Sequence, residues 1–146
     1  MNLSQVLKDL CLEREIKIID LAKEVDIQNS LLYKYVNEIA VPTVNNVVKL
    51  ANYFDCTINF LVGISNNPKE YDFCDTFDKN TFFVRYCELL KEFGVSHYQI
   101  CKKFNLAKSV FWLWKKGSVP YMDTLTNLAL YFDVSIDYLI GRSKQR

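Results

Sequence analysis

An internal repeat constrains this chain more than any other feature of its 146 residues. Residues 51–65, ANYFDCTINFLVGIS, align with residues 129–143, ALYFDVSIDYLIGRS, at an offset of 78, and eight of the fifteen positions are identical. Before Pro42 and Pro120 the offset becomes 79, with one gap of a single residue. Self-similarity of this kind indicates duplication of one structural unit, here of about 65 residues.

The repeat divides the chain into two predicted domains and a joining segment. We place an N-terminal domain at residues 1–66, a linker at residues 67–78 and a C-terminal domain at residues 79–146. A length of 146 residues suits two unusually small domains. Apolar side chains in the linker favour a segment packed against the domains over a free tether. They are Tyr71, Phe73, Cys74 and Phe77.

Hydrophobic periodicity predicts helices throughout each copy, and no alternating pattern predicts a strand. In the second copy, apolar residues recur at helical spacing over residues 82–93, and Gly94 ends that helix. A third helix is predicted from Lys108 to Lys116, with Gly117 suited to its C-terminal cap. Two further helices are expected before Gly141.

Capping and turn residues mark the second and third helices of the copies. Ser96 and Gln99 have the spacing of a capping box, which satisfies free N–H groups where a helix begins. Asn105 and its counterpart Asp26 mark a tight turn, because Asn and Asp tolerate a left-handed backbone. Two helices joined by such a turn form a helix-turn-helix unit, so we predict an all-α fold with five short helices per copy.

Three segments of the second copy resemble one known family. Residues 94–109, GVSHYQICKKFNLAKS, are similar to the second helix, turn and third helix of lambda-repressor/Cro-type (XRE family) helix-turn-helix regulators. Residues 114–120, WKKGSVP, and residues 132–141, FDVSIDYLIG, resemble the family's later segments. The first copy resembles it less closely, with Glu38 at a glycine position and Lys-Ile at residues 17–18 where the family usually has Ser-Gln.

The resemblance implies both a fold and a function. The implied fold is two tandem five-helix lambda-repressor-like DNA-binding domains in one chain. The implied function is a sequence-specific DNA-binding transcriptional regulator, with repression as the expected activity, in a bacterium or its phage or mobile elements. Two covalently linked units with different outward faces predict an asymmetric DNA site, because linkage replaces the pairing of two identical chains.

The resemblance places the DNA contacts of each copy on and near its third helix. In the first copy the outward face of that helix is polar, and Asn29, Ser30 and Lys34 are suited to reading base edges. Leu31, Leu32 and Tyr35 are predicted to face the core. The predicted DNA-contacting residues of the first copy are Gln28, Asn29, Ser30, Tyr33, Lys34 and Asn37.

The second copy has a less polar outward face. Helical geometry predicts that Val110, Phe111 and Trp114 face the core, while Trp112 and Leu113 face outward and contact either thymine methyl groups or a protein. For the histidine, a phosphate contact at a helix start and an ordinary surface position are both open. The predicted DNA-contacting residues of the second copy are His97, Lys108, Ser109, Trp112, Leu113, Lys115 and Lys116.

Charge is distributed unevenly between the copies. Residues 1–66 carry six basic and eight acidic residues, whereas residues 81–146 carry ten basic and five acidic residues. Because neutralised phosphates supply most non-specific affinity, the C-terminal domain is expected to bind DNA more readily. The N-terminal domain is compatible with weak DNA binding, with homodimerisation or with contact to a protein partner.

Other classes of protein fit the sequence less well. With one His, no glycine-rich phosphate loop and no metal-ligand spacing, we predict no enzyme activity, no cofactor and no metal site. The five cysteines are predicted to be small buried hydrophobes in a reducing compartment, and no apolar run reaches the ~20 residues of a membrane span, which favours the cytoplasm. The alternative function is a helix-turn-helix scaffold, such as an antitoxin or phage accessory factor, that binds a protein through Trp112, Leu113 and Tyr33.

Overall fold

The computed structural model describes residues 1–146, and its regular secondary structure is entirely helical, which confirms the all-α prediction. The chain divides into two compact units, Met1–Tyr71 and Asp72–Arg146, which we call unit 1 and unit 2. Each unit contains five helices. None of the helices combines the length and the apolar character that crossing a bilayer requires.

The helices are short in both units. Unit 1 consists of α1 (Leu3–Glu13), α2 (Ile18–Val25), α3 (Asn29–Val36), α4 (Val44–Tyr53) and α5 (Ile58–Leu61). Unit 2 consists of α6 (Lys79–Phe93), α7 (His97–Phe104), α8 (Val110–Lys115), α9 (Met122–Phe132) and α10 (Ile136–Leu139).

Unit 1 is built around an aliphatic core. Helix α3 packs against α1 and α2, while α4 packs against α2 and α5. Each helix contributes side chains with no solvent exposure, because apolar residues three or four positions apart share one helical face. These include Leu7, Leu21, Leu32, Leu50 and Leu61.

Unit 2 is built around a core of aromatic rings. Tyr86 on α6 is fully buried, and its ring centroid lies 5.2 Å from that of Trp114 and 6.3 Å from that of Phe132. Both contacts are edge-to-face, the arrangement that the charge distribution of aromatic rings favours. This ring cluster joins α6, α8 and α9.

Matching positions of the two units have matching backbone conformations. Asp26 and Asn105 end α2 and α7, each with φ of 54°, which confirms the left-handed turns predicted there. The residues that follow α5 and α10 also agree, since Gly63 and Gly141 both have φ of 81°. A Cβ atom at Gly141 would lie 3.0 Å from the Thr81 side chain, so close packing as well as φ favours glycine there.

The last helix of each unit begins and ends with the same hydrogen bonds. Thr57 caps α5 and Ser135 caps α10, and each hydroxyl oxygen accepts a hydrogen bond from the backbone N–H three residues later. The backbone carbonyls of Asn59 and Asp137 each accept hydrogen bonds from the N–H groups five and six residues later. The aligned ends of the units therefore share one turn geometry.

The division between the units falls inside the predicted linker. Beyond it, Cys74 N–H donates to the Arg142 carbonyl over 2.7 Å, and the Ser143 hydroxyl donates to the Asp72 carbonyl over 2.7 Å. The Arg142 guanidinium lies 4.3 Å from the centroid of the Phe73 ring. Residues 72–74 therefore contact the C-terminal end of unit 2 through backbone hydrogen bonds and the Phe73 ring, whereas the Cys74 side chain, also predicted to pack, is exposed.

Helix α8 is shorter than the predicted span from Lys108 to Lys116. Three successive N–H groups, those of residues 110–112, donate to carbonyls three residues earlier, where an α-helix uses the fourth. Because this turn is of the tighter 3₁₀ type, the α-helix begins only at Val110. At the other end Gly117 has φ of 100°, which stops the helix after Lys115.

The prediction that all five cysteines are buried is correct for three of them and wrong for two. Cys11, Cys56 and Cys101 are buried, and no disulfide bond is present. Cys74 is exposed and Cys87 is half-buried. Cys74 lies before α6, in a segment without a helix, where no apolar face directs its side chain inward.

Candidate nucleic-acid interface

A short, well-anchored turn joins the second and third helices of unit 1. The turn occupies residues 26–28 between α2 and α3. Asp26 supplies the left-handed conformation, and Ile27 is buried and donates its N–H to the Ala22 carbonyl over 3.0 Å. The turn therefore fixes the direction in which α3 leaves the body of the unit.

Helix α3 buries one face and exposes the other. Leu32 and Tyr35 are buried as predicted, whereas Leu31 is half-buried. The structure brings all the predicted DNA-contacting residues of unit 1 to the surface on or beside this helix. They are Gln28, Asn29, Ser30, Tyr33, Lys34 and Asn37.

Asn37 is more constrained than its exposure suggests. Its side-chain Nδ2 donates to the Tyr33 carbonyl over 2.8 Å, so part of its hydrogen-bonding capacity is used at the end of α3. The amide oxygen of Asn37 can only accept a hydrogen bond, so it does not bond to the carbonyl groups at the end of the helix. Asn29 and Lys34, on the same face, are better suited to reading base edges.

In unit 2 the third helix presents a more apolar face. Trp114 is buried as predicted, but Val110 and Phe111 are only half-buried. Phe111 is partly covered by Phe83, with ring centroids 5.0 Å apart, rather than enclosed in the core. The predicted contact residues that are exposed in unit 2 are Lys108, Ser109, Trp112, Leu113, Lys115 and Lys116.

His97, the remaining predicted contact, is half-buried and hydrogen-bonded within unit 2. Its Nδ1 lies 2.9 Å from the Tyr86 hydroxyl, and its Nε2 lies 3.3 Å from the Lys108 carbonyl oxygen. Because a carbonyl can only accept, we assign the proton to Nε2, which also lies 3.1 Å from the Cys101 sulfur, and Nδ1 then accepts from Tyr86. The histidine thus connects α6, α7 and the start of the turn into α8.

Burial affects the protonation of both partners in this contact. Desolvation lowers the pKa of His97 below its ordinary value, although the bond to the Lys108 carbonyl acts in the opposite direction. Desolvation also raises the pKa of Tyr86, so its hydroxyl keeps the proton that it donates. The contact is therefore between a neutral imidazole and a neutral phenol.

Two lysines of unit 2 lie over exposed aromatic rings. The Lys108 ammonium is 4.6 Å from the Tyr98 ring centroid, and the Lys115 ammonium is 5.3 Å from the Trp112 ring centroid. Tyr98 was not among the predicted contacts, and its aligned partner Ile19 is also exposed.

Corresponding grooves open beside the turn in both units. The groove of unit 2 is lined by Tyr98, Cys101, Lys102, Asn105, Leu106 and Lys108. The groove of unit 1 is lined by Ile19, Ala22, Lys23, Asp26, Ile27, Gln28 and Asn29, which include the aligned positions. Two lysines line the groove of unit 2, whereas one lysine and one aspartate line the groove of unit 1. The groove of unit 2 is therefore the better site for an anion such as a phosphate.

The same difference extends over the second and third helices of each unit. Residues 93–122 contain five lysines, all exposed, and no aspartate or glutamate. The aligned residues 14–43 contain four basic and five acidic residues. Phosphate affinity depends on such local charge, so the two surfaces differ in their attraction for a nucleic-acid backbone.

A packed second helix, a tight turn and an exposed third helix define unit 1 as a helix-turn-helix domain, a class in which the third helix enters the DNA major groove. Residues 7–61 match the family described as Helix-turn-helix, and the domain is of the XRE type. This domain indicates DNA binding and transcriptional regulation. No second helix-turn-helix domain was detected by family comparison, and no curated protein or solved structure matches the chain.

Proposed function

We propose that this chain is a sequence-specific DNA-binding repressor of transcription in which both units contact duplex DNA through their third helices. The observation that carries the proposal is the pairing of an XRE-type domain in unit 1 with an aligned segment of unit 2, residues 93–122, that contains five exposed lysines and no acidic residue. The resemblance to lambda-repressor/Cro-type regulators favours the cytoplasm of a bacterium, or its phage or mobile elements, as the setting.

Several features support unit 2 as a second helix-turn-helix domain. The repeated sequence segments place identical residues at eight of fifteen aligned positions. Asn105 repeats the left-handed turn of Asp26, and Gly141 repeats the conformation of Gly63. The capping box of Ser96 and Gln99 begins α7 where a second helix of this motif begins.

The two units have different roles in this proposal. In unit 1, Asn29, Ser30 and Lys34 read base edges by hydrogen bonds, while the acidic residues of α2 weaken phosphate attraction. In unit 2, Lys108 and Lys116 contact phosphates and supply most of the non-specific affinity. Because one chain carries both faces, binding of one unit raises the effective concentration of the other at an adjoining, non-identical half-site.

The decisive experiment selects duplexes from a random pool with the full chain and then measures binding of the selected sequence at two salt concentrations. Lys108→Ala/Lys116→Ala is expected to weaken binding to all duplexes, and Asn29→Ala/Lys34→Ala is expected to relax specificity in one half of the site. The matched control is Lys8→Ala/Lys91→Ala, which removes two lysines from α1 and α6 and should leave binding almost unchanged.

Enrichment of a defined, asymmetric sequence, with binding that weakens steeply as salt rises, would support the proposal. Failure of the chain to bind any duplex above non-specific background would contradict it. In that case the exposed Trp112 and Leu113 would direct the search towards protein partners, whose binding to an apolar surface depends much less on salt.

A further inference from the structure

We infer that unit 2 reads thymine by its C5-methyl group, through Trp112 and Leu113, at positions where unit 1 has hydrogen-bonding side chains. The inference rests on the proposed function, since it requires α8 to face the major groove. The half-site of unit 2 would then require thymine methyl groups, whereas the half-site of unit 1 is read by hydrogen bonds.

The apolar pair is exposed where hydrogen-bonding side chains would be expected. Trp112 is 60% exposed and Leu113 is 53% exposed, while Trp114 on the opposite side of α8 is buried. The Lys115 ammonium lies near the Trp112 ring, so a cation borders the apolar surface. Such adjacent large apolar side chains are unfavourable in water unless a partner covers them.

Alignment of the units shows that α8 has apolar side chains where α3 has side chains that can form hydrogen bonds. Trp112 occupies the position of Tyr33, and Leu113 occupies the position of Lys34. A lysine can donate to guanine O6 and N7, whereas a leucine has no donor or acceptor. Towards the centre of the face, α8 therefore offers apolar contact where α3 offers a hydrogen bond.

Only one apolar group is presented by base edges in the major groove, the C5-methyl of thymine. A leucine and a tryptophan at the centre of a recognition face therefore select for thymine by burying that methyl group. Thymine presents its O4 acceptor beside the methyl group, whereas adenine, guanine and cytosine have no methyl to bury, so the desolvation of their polar atoms is not offset by an apolar contact.

The surroundings of the pair favour DNA over a protein as its partner. The segment that contains α7 and α8, residues 93–122, carries five exposed lysines and no aspartate or glutamate. Lysine is depleted in protein–protein interfaces, whereas a duplex carries a continuous row of phosphates beside its grooves. Charge complementarity therefore identifies duplex DNA as the occupant of this face.

The test replaces single thymines of the selected duplex with deoxyuridine, which removes one methyl group and leaves every hydrogen-bonding atom in place. We expect substitution at thymines in the unit 2 half-site to weaken binding of the full chain by about fourfold for each buried methyl, the equivalent of about 0.8 kcal/mol. Deoxyuridine elsewhere in the duplex should have no effect.

Two variants connect the methyl requirement to α8. Trp112→Tyr/Leu113→Lys introduces the residues that unit 1 has at these positions, so it should keep or raise overall affinity while abolishing the discrimination between thymine and uracil. Lys34→Ala changes the aligned position of unit 1 and serves as the control. It should weaken binding but retain the discrimination at the unit 2 half-site.

Equal binding of thymine and uracil duplexes by a chain that still selects one sequence would overturn the methyl readout and leave the proposed function intact. Discrimination that persists in Trp112→Tyr/Leu113→Lys would also overturn it, because the methyl would then be sensed elsewhere. Absence of sequence-specific binding to any duplex would remove the proposed function itself, and the inference with it.

Discussion

His97 shows how one side chain can connect three helices of unit 2. It accepts a hydrogen bond from Tyr86 on α6, begins α7 and donates to the carbonyl of Lys108 before α8. The aligned residue of unit 1 is Ile18, which has no hydrogen-bonding side chain. Unit 2 therefore positions the start of its third helix by a polar contact that unit 1 does not use.

This contact makes the stability of unit 2 depend on pH. The pKa of His97 is lowered by burial, so below about pH 6.5 the unfolded chain takes up the proton first. The stabilisation is present above that pH and is lost as the pH falls through the lower pKa of the folded state. We expect the free energy of unfolding to fall as the pH drops below about 6.5. His97→Gln should flatten the profile.

Denaturant unfolding followed by tryptophan fluorescence would measure this effect, because both tryptophans, Trp112 and Trp114, are in unit 2. The measurement should be repeated at each pH with the wild-type chain and with His97→Gln. Parallel pH profiles for the two chains would show that the histidine does not couple protonation to folding.

Glu38 and Gly117 provide a second test at the level of single residues. These aligned residues follow the third helices with φ of 59° and 100°. A non-glycine residue in the left-handed region costs about 1–2 kcal/mol, which the greater freedom of glycine in the unfolded chain partly offsets. Glu38→Gly is therefore expected to stabilise unit 1 by up to about 1 kcal/mol.

The reverse change, Gly117→Glu, should destabilise unit 2 by at least as much. A Cβ atom there would meet nothing closer than 3.4 Å, so backbone strain and not a clash is the cause. Circular dichroism during denaturation would measure both effects. Glu38→Ala keeps the Cβ atom and removes the charge, so a stability gain in this control equal to that of Glu38→Gly would rule out the backbone explanation.

At the level of elements, α10 is anchored by a buried ion pair that α5 lacks. The Asp137 carboxylate and the Arg142 guanidinium are 2.6 Å apart, and neither side chain has any solvent exposure. The aligned residues of unit 1 are Asn59 and Ile64. The same backbone turn is thus supported by charged side chains in one unit and by uncharged ones in the other.

Removing one member of this pair should be costly. Asp137→Asn leaves the Arg142 charge buried without its carboxylate, and breaking a buried pair in this way typically costs about 3–5 kcal/mol. Asp137→Asn/Arg142→Ile reproduces the residues of unit 1 and should recover much of that loss. Tryptophan fluorescence in denaturant would compare the variants, and a double variant no more stable than the single one would contradict the explanation.

At the level of the whole molecule, charge separates two units of similar backbone. The second and third helices of unit 2 present five lysines without a carboxylate, while the aligned segment of unit 1 has a small excess of acid. Non-specific affinity for DNA arises from phosphate neutralisation. Unit 2 is therefore expected to dominate the salt dependence of binding by the full chain.

This expectation can be measured as the slope of log Kobs against log salt concentration for a random duplex. Lys108→Ala/Lys116→Ala should reduce the magnitude of the slope by about 2, since each phosphate contact contributes about 0.9. Lys17→Ala/Lys23→Ala removes two lysines at the start of α2 and within it, and this control should change the slope by less. Equal changes would show that both units contribute equally to phosphate contact.

Much of the local structure could be predicted from the sequence. The capping box of Ser96 and Gln99, the left-handed turns at Asp26 and Asn105, and the all-α fold were predicted correctly. Each depends on residues a few positions apart, because helix caps, turn conformations and hydrophobic periodicity are set by local backbone geometry. The exposure of Trp112 and Leu113 followed from the same periodicity.

Tertiary contacts decided what the local pattern left open. His97 is hydrogen-bonded to Tyr86, and Val110 and Phe111 are only half-buried. Tyr98 lies beneath the Lys108 ammonium. These contacts join residues ten or more positions apart, whose separation in space depends on how whole helices pack. By itself the sequence determined which segments become helices and where they turn, because those choices are local. Only the tertiary structure decided which polar side chains are used internally and which remain available to DNA, because burial depends on the entire unit.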